Sequence, residues 1–109
     1  MATNLNTFKN VTADLIASNT TIYTAPAGYT SIILMAQVTN ITTSTANVVF
    51  GWNNVTTNTE LVYNLSVPPN DAVNVLTGKL ILQNSHSVYA SASSTNKLKL
   101  TLSVLESLN

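Results

Sequence analysis

The side chains able to move protons or hold metals are few, and their spacing keeps them apart. His86 is the single histidine, set between Ser85 and Ser87. A hydrolytic triad would need it beside a nucleophile and an orienting acid, yet neighbours on an extended strand point to opposite faces. No Gly-x-Ser-x-Gly elbow accompanies it, and the histidine reads as a polar residue at the start of a strand. The four carboxylates, Asp14, Glu60, Asp71 and Glu106, occur singly, whereas a calcium loop or a glycosidase pair needs acids that converge. The absence of cysteine removes disulfides and thiolate metal sites alike. Phosphate-loop patterns are missing too, and Gly28, Gly51 and Gly78 fall at turns or inside strands. The expectation is a protein that is not an enzyme, with no catalytic residue, no metal and no cofactor.

Recognition chemistry is better represented. Trp52 with Asn53 and Asn54 behind it, and Tyr23, Tyr29, Tyr63 and Tyr89 elsewhere, could build a sugar-stacking platform. The same Trp52 alternates with Val48 and Phe50, which makes it a core residue near a strand end; both readings stand at this point. An ice-binding surface would want a regular Thr-x-Thr array, and none recurs at a fixed period. Five Asn-x-Ser/Thr sequons are present, but 15 Asn and 28 Ser plus Thr among 109 residues account for them by composition. "MATNLNTFKN" has no basic stretch leading into an apolar one, so no secretory signal and no glycosylation are expected.

Charge is the compositional outlier. Asp, Glu, Lys and Arg make up 7% of the chain and sum to zero net charge, against about 25% charged residues in an ordinary soluble domain. All four basic residues are lysines, so the bidentate phosphate and guanine reader is missing and nucleic acid is not an expected partner. Weak charge repulsion favours association, which points to a surface covered in an assembly. The longest unbroken apolar run, Ile32 to Ala36, is far short of the roughly 20 residues a membrane helix needs, so no membrane partner is expected. Hydrophobic residues reach 45%, enough for one folded domain with one core.

The elements that must position these residues are strands. In "KLKLTLSV", Leu98, Leu100, Leu102 and Val104 alternate with Lys97, Lys99, Thr101 and Ser103, the period-two signature of a half-buried strand. "TELVYNLSV" sets Leu61, Tyr63, Leu65 and Val67 on one face, and "ANVVFGW" does the same with Val48, Phe50 and Trp52. Further strands are expected over Thr20 to Thr24, Thr30 to Thr39, Ala72 to Leu76, Lys79 to Gln83 and His86 to Ala92. Ala25-Pro26-Ala27-Gly28 reads as a type I turn with proline second and glycine fourth. Ile32 to Val38 is nearly all apolar, as expected of a central strand covered by the opposite sheet and by a neighbouring subunit. About eight strands and no helix predict an all-β, single-domain antiparallel β-sandwich of the jelly-roll or Greek-key kind. Residues 20–109 would form it; residues 1–19 would be an extended N-terminal arm that pairs at an edge or reaches to a neighbour.

Several segments carry a resemblance. The chain has "KNVTAD" at Lys9 to Asp14 and "IYTAP" at Ile22 to Pro26, followed by an apolar strand ending in Asn40. It continues with "VPP" opening Val67 to Leu82, "VYASA" at Val88 to Ala92 and "SVLE" at Ser103 to Glu106. In these it resembles the small virion structural proteins of tailed phages, particularly marine cyanophages. It departs from them at Asn84-Ser85, where they often have Gly-Asp, and in the Asn/Thr-rich "GWNNVTTNTE". The resemblance implies a non-enzymatic β-sandwich subunit, a capsid decoration or cement protein that binds the major capsid protein and stabilises the head. It would be a homo-oligomer on a symmetric lattice, made in the host bacterial cytoplasm and found in the virion. A neck, tail or fibre component, bound to other virion subunits, is the alternative within that class, and a carbohydrate-binding module for host adhesion is the alternative outside it. Expected interaction residues are Phe8, Lys9, Val11, Asp14 and Leu15 on the arm and Trp52, Asn53 and Asn54 on the sandwich. So few charges would also leave such contacts largely indifferent to salt.

Overall fold

The computed structural model describes residues 6–95 and 97–108. Nine strands run through them: β1 (Asn6–Asp14), β2 (Thr20–Thr24), β3 (Tyr29–Asn40), β4 (Ala46–Asn53), β5 (Asn58–Val67), β6 (Ala72–Asn74), β7 (Leu80–Leu82), β8 (Ser87–Ala92) and β9 (Leu98–Leu108). They make two antiparallel sheets. The first has the order β1-β9-β3-β6, with β7 paired to the other half of β3; the second is β2-β8-β4-β5. The pairs nest, with β1 on β9, β2 on β8, β3 on β6 and β7, and β4 on β5. That nesting is one long hairpin folded over on itself, the jelly-roll form of the β-sandwich.

Alternation decides which side chains fill the space between the sheets. On β9, Leu98, Leu100, Leu102 and Val104 are all at most 1% exposed, as the period of two requires. Ile33, Ala36 and Val38 of β3 meet Val48 and Phe50 of β4 and Val88 and Ala90 of β8 in the same core. Each large apolar side chain buried this way stabilises the fold by roughly 1.5–3 kcal/mol before chain entropy is counted. Asn40, 1% exposed at the end of β3, is also satisfied: its amide donates to the carbonyls of Ser44 (2.8 Å) and Val67 (3.0 Å), and its oxygen accepts from Thr42 N–H (2.9 Å).

Three sequence expectations are narrowed or changed in the folded chain. Within the segment expected as an arm, Asn6–Asp14 pairs with β9 along its whole length, from Asn6 opposite Ser107 to Asp14 opposite Lys99. This is the ninth strand, and it is the first of the two alternatives, pairing at an edge. Val11 packs against the core and Leu15 is 1% exposed. Apolar cover over Leu100 and Leu102 makes edge docking favourable for a strand with alternating apolar residues.

In β5, the expected inward set of Leu61, Tyr63, Leu65 and Val67 is broken. The register shifts between Val48 and Phe50 and again between Phe50 and Gly51, and Asn64 adopts φ +53°. Each β-bulge inserts a residue and turns the residues beyond it to the other face. Val62, Leu65 and Val67 therefore point inward, while Tyr63 is 72% exposed and Leu61 38%.

The corner after β2 is the third change. Tyr29 N–H donates to Pro26 C=O at 3.2 Å, and Gly28 stands at φ +84°. The turn begins on Pro26 and places Gly28 third, the type II arrangement in which only that position needs a left-handed φ.

Candidate interaction surface

The residues singled out in the sequence are divided between the two sheets. Those of β1 line the edge of the first sheet; Trp52 and Asn53 end β4 in the second, with Asn54 in the hairpin beyond. On β1, alternation splits them again. Phe8 points outward, 73% exposed, and Asp14 shares that outer face, where it pairs with Lys99 at 3.2 Å. Lys9 and Val11 turn the other way, as does Leu15 just past the strand, Val11 and Leu15 into the core.

Lys9 reaches a polar link between the sheets. Its Nζ is 3.3 Å from Glu106 Oε2, and Glu106 is only 7% exposed. Tyr23, on β2 of the second sheet, donates its hydroxyl to the same Glu106 oxygen, and Ser31 Oγ lies 2.8 Å from the Tyr23 hydroxyl. Burial, and then the hydrogen bond to Glu106, push the Tyr23 hydroxyl well above its ordinary pKa of 10.0. The arrangement satisfies a buried carboxylate from two strands, Lys9 on β1 and Tyr23 on β2, with Ser31 bonded to the tyrosine behind it, which makes it a fastening between sheets.

Trp52 is half-buried against the core, with the His86 ring 5.5 Å away and tilted by 46°. His86 Nδ1 accepts from the Gln83 N–H at 3.3 Å, and the histidine closes the turn before β8. Asn53 and Asn54 hold the β4–β5 hairpin: Asn53 Oδ1 accepts from Val55 N–H (2.6 Å), and Asn54 Oδ1 from Thr57 N–H (2.9 Å). These are side-chain-to-backbone turn bonds. They carry the chain through Val55, which is 62% exposed at φ +87°.

The feature that the sequence reading missed lies on the outer face of the first sheet. Phe8 stands opposite Leu105, Leu105 opposite Ile32, and Ile32 opposite Ile81. Directly opposed residues share a face, so these four apolar side chains form one row across β1, β9, β3 and β7. Phe8 and Ile81, at its ends, are 73% and 59% exposed; Leu105 and Ile32 are half-buried. Mainly polar rows flank it, Asn6-Ser107-Thr30 on one side and Asn10-Ser103-Met35 on the other. The available signal was an apolar residue at an outward phase: Leu105 between Val104 and Glu106, and Ile81 between Leu80 and Leu82.

The outer face of the second sheet holds a polar hollow of about 290 Å³ lined by Asn19, Thr21, Asn53, Asn58, Ser87 and Tyr89. Tyr89 is only 4% exposed, because its ring lies across Gly51 and its hydroxyl donates to Glu60 at 3.1 Å. Among the described residues, no three of His, Cys, Asp and Glu come together as metal ligands would.

No protein-family model and no curated protein sequence matches the chain. Among solved structures, it is similar to a chain in the acid-stable capsid of the Helicobacter pylori bacteriophage KHP30, with a TM-score of 0.58 and 17% identity over 96% of this chain and 89% of that one. It is also similar to a chain of the Bacillus endospore appendages, a family of disulfide-linked pili, with a TM-score of 0.54 and 12% identity over 95% and 88%. At these identities the likeness is one of fold.

Proposed function

We propose that the protein is a structural subunit of a tailed-phage virion, and specifically a decoration protein that binds the major capsid lattice and stabilises the head. The observation that carries this reading is the fold shared, along nearly the whole of both chains, with a chain of a phage capsid. The segments "KNVTAD", "IYTAP" and "SVLE", which resemble phage virion proteins, support it from the sequence. With few charges available, binding should change little between low and high salt.

A place in the tail or a fibre is the second reading, favoured by the fold likeness to pilus chains. Any such assembly would have to join without disulfides, because this chain has no cysteine. Quantitative mass spectrometry of purified particles separates the two: copies in proportion to the major capsid protein support decoration, and copies matching one neck or tail ring support the other. Absence from the particle would overturn both.

A further inference from the structure

We infer that the outer face of the first sheet is a self-association surface on which two copies pack face to face about a two-fold axis parallel to the strands. The row Phe8-Leu105-Ile32-Ile81 crosses all four strand positions of the sheet. Such an axis reverses the order of strands while keeping the row in register. Phe8 of one copy then lies over Ile81 of the other, and Leu105 over Ile32. Every apolar side chain in the row finds an apolar partner, as an isologous contact requires.

Charge permits this arrangement. The charged side chains on the paired strands of this face are Asp14 and Lys99, which neutralise each other at 3.2 Å and lie six residues of β1 away from the row. Lys79, just before β7, falls beside the β1 edge of the other copy, toward Asn10. Asp14 approaches Asp71, just before β6 of the other copy, and Lys99, paired with Asp14, offsets that contact.

Size permits it too. The five strands of this sheet hold 38 residues, and at about 3.3 Å per residue and 4.8 Å between strands the face covers about 600 Å². That reaches the lower end of the roughly 600–1,000 Å² per partner of a stable interface. Twisted sheets stack with their strands about 30° apart, and a row through the middle stays in contact at that angle. The surface does not depend on the virion reading.

The test uses the full chain. Sedimentation equilibrium over a concentration series should show a dimer, and Phe8→Lys and Ile81→Lys, at exposed edge positions, should each weaken it by about tenfold or more with an unchanged circular dichroism spectrum. Because the chain has no cysteine, Phe8→Cys and Ile81→Cys can be mixed and treated with a thiol cross-linker spanning about 10 Å, the distance between stacked sheets. The mixture should cross-link, and either variant alone should not. A monomer throughout, a dimer unmoved by both lysine variants, or equal cross-linking of Phe8→Cys alone would overturn the proposal. Loss of capsid binding in Phe8→Lys from a monomeric wild type would overturn self-association while leaving the virion role standing.

Discussion

The outer faces of the two sheets handle large side chains in opposite ways. On the second sheet, Tyr89 points outward, yet it is folded down over Gly51 and bonded to Glu60. Its hydroxyl is pushed above the ordinary value of 10.0, first by burial and then by that bond. Tyr63 remains exposed there, on an edge strand whose two bulges prevent a continuous row. On the first sheet nothing folds down: Phe8, Leu105, Ile32 and Ile81 line up across four strands, and none belongs to the chain's own core cluster. One face is completed by its own chain; the other keeps an apolar row outside that chain's core. A glycine makes the difference on the second sheet, because only a residue without Cβ lets an aromatic ring lie flat on the strand beside it.

The largest expected effect tests that self-completed face. A Cβ on Gly51 would come within 2.4 Å of the Thr59 carbonyl and 2.5 Å of the Tyr89 hydroxyl. Gly51→Ala should therefore cost about 3 kcal/mol in urea denaturation, as overpacking against backbone does. A loss below about 1 kcal/mol would mean that Tyr89 can stand up cheaply, and the contrast between faces would soften.

Next comes the fastening beneath both faces. Tyr23→Phe removes one partner of the buried Glu106 and should cost about 1.5 kcal/mol at neutral pH. The raised Tyr23 hydroxyl sets the sign of the pH dependence. Folded Tyr23 keeps its proton at pH values where the unfolded chain, titrating near 10.0, has lost it. Its stabilisation is complete below that pH and is lost as pH climbs above it. Alkaline urea titrations should show stability falling above pH 10.0, with a shallower fall in Tyr23→Phe and the remainder owed in part to Tyr89.

Val55→Gly should raise stability by about 1 kcal/mol, since a β-branched residue at φ +87° is strained and exposed. A rise in the thermal midpoint checks it, and a fall would mean that Asn53 and Asn54 hold the hairpin tip without strain. The smallest effect belongs to the unpartnered face: Phe8→Ser should change the stability of the monomer by less than about 0.5 kcal/mol. A larger loss would show that Phe8 serves its own fold, and the row would cease to be a free surface.

Legibility differed from strand to strand. β9 was fully legible, because its alternation is clean and one face is wholly buried. β5 was not: the bulges at Asn64 and near Leu61 exchange its faces, and a bulge depends on the partner strand. β1 was legible as an extended segment, but whether it would pair at home or elsewhere rested on the free edge of β9. Of the residues expected to interact, Phe8 stands in the exposed row, while Leu15 and Val11 went to the core because they fall beside Leu98 and Leu102 on the inward phase of β9.

By itself, the sequence determined the local terms. Period-two patterning required strands, frequent polar and Pro/Gly breaks required many short ones, and the composition withheld cysteine, arginine and clustered acids. Tertiary structure alone decided which strands became neighbours. Phe8 and Leu105 stand almost a full chain length apart, and no local pattern states that they face each other. Antiparallel pairing with β9 and β3 converted scattered outward apolar residues into one row, because a ladder fixes lateral register between segments that the sequence leaves independent.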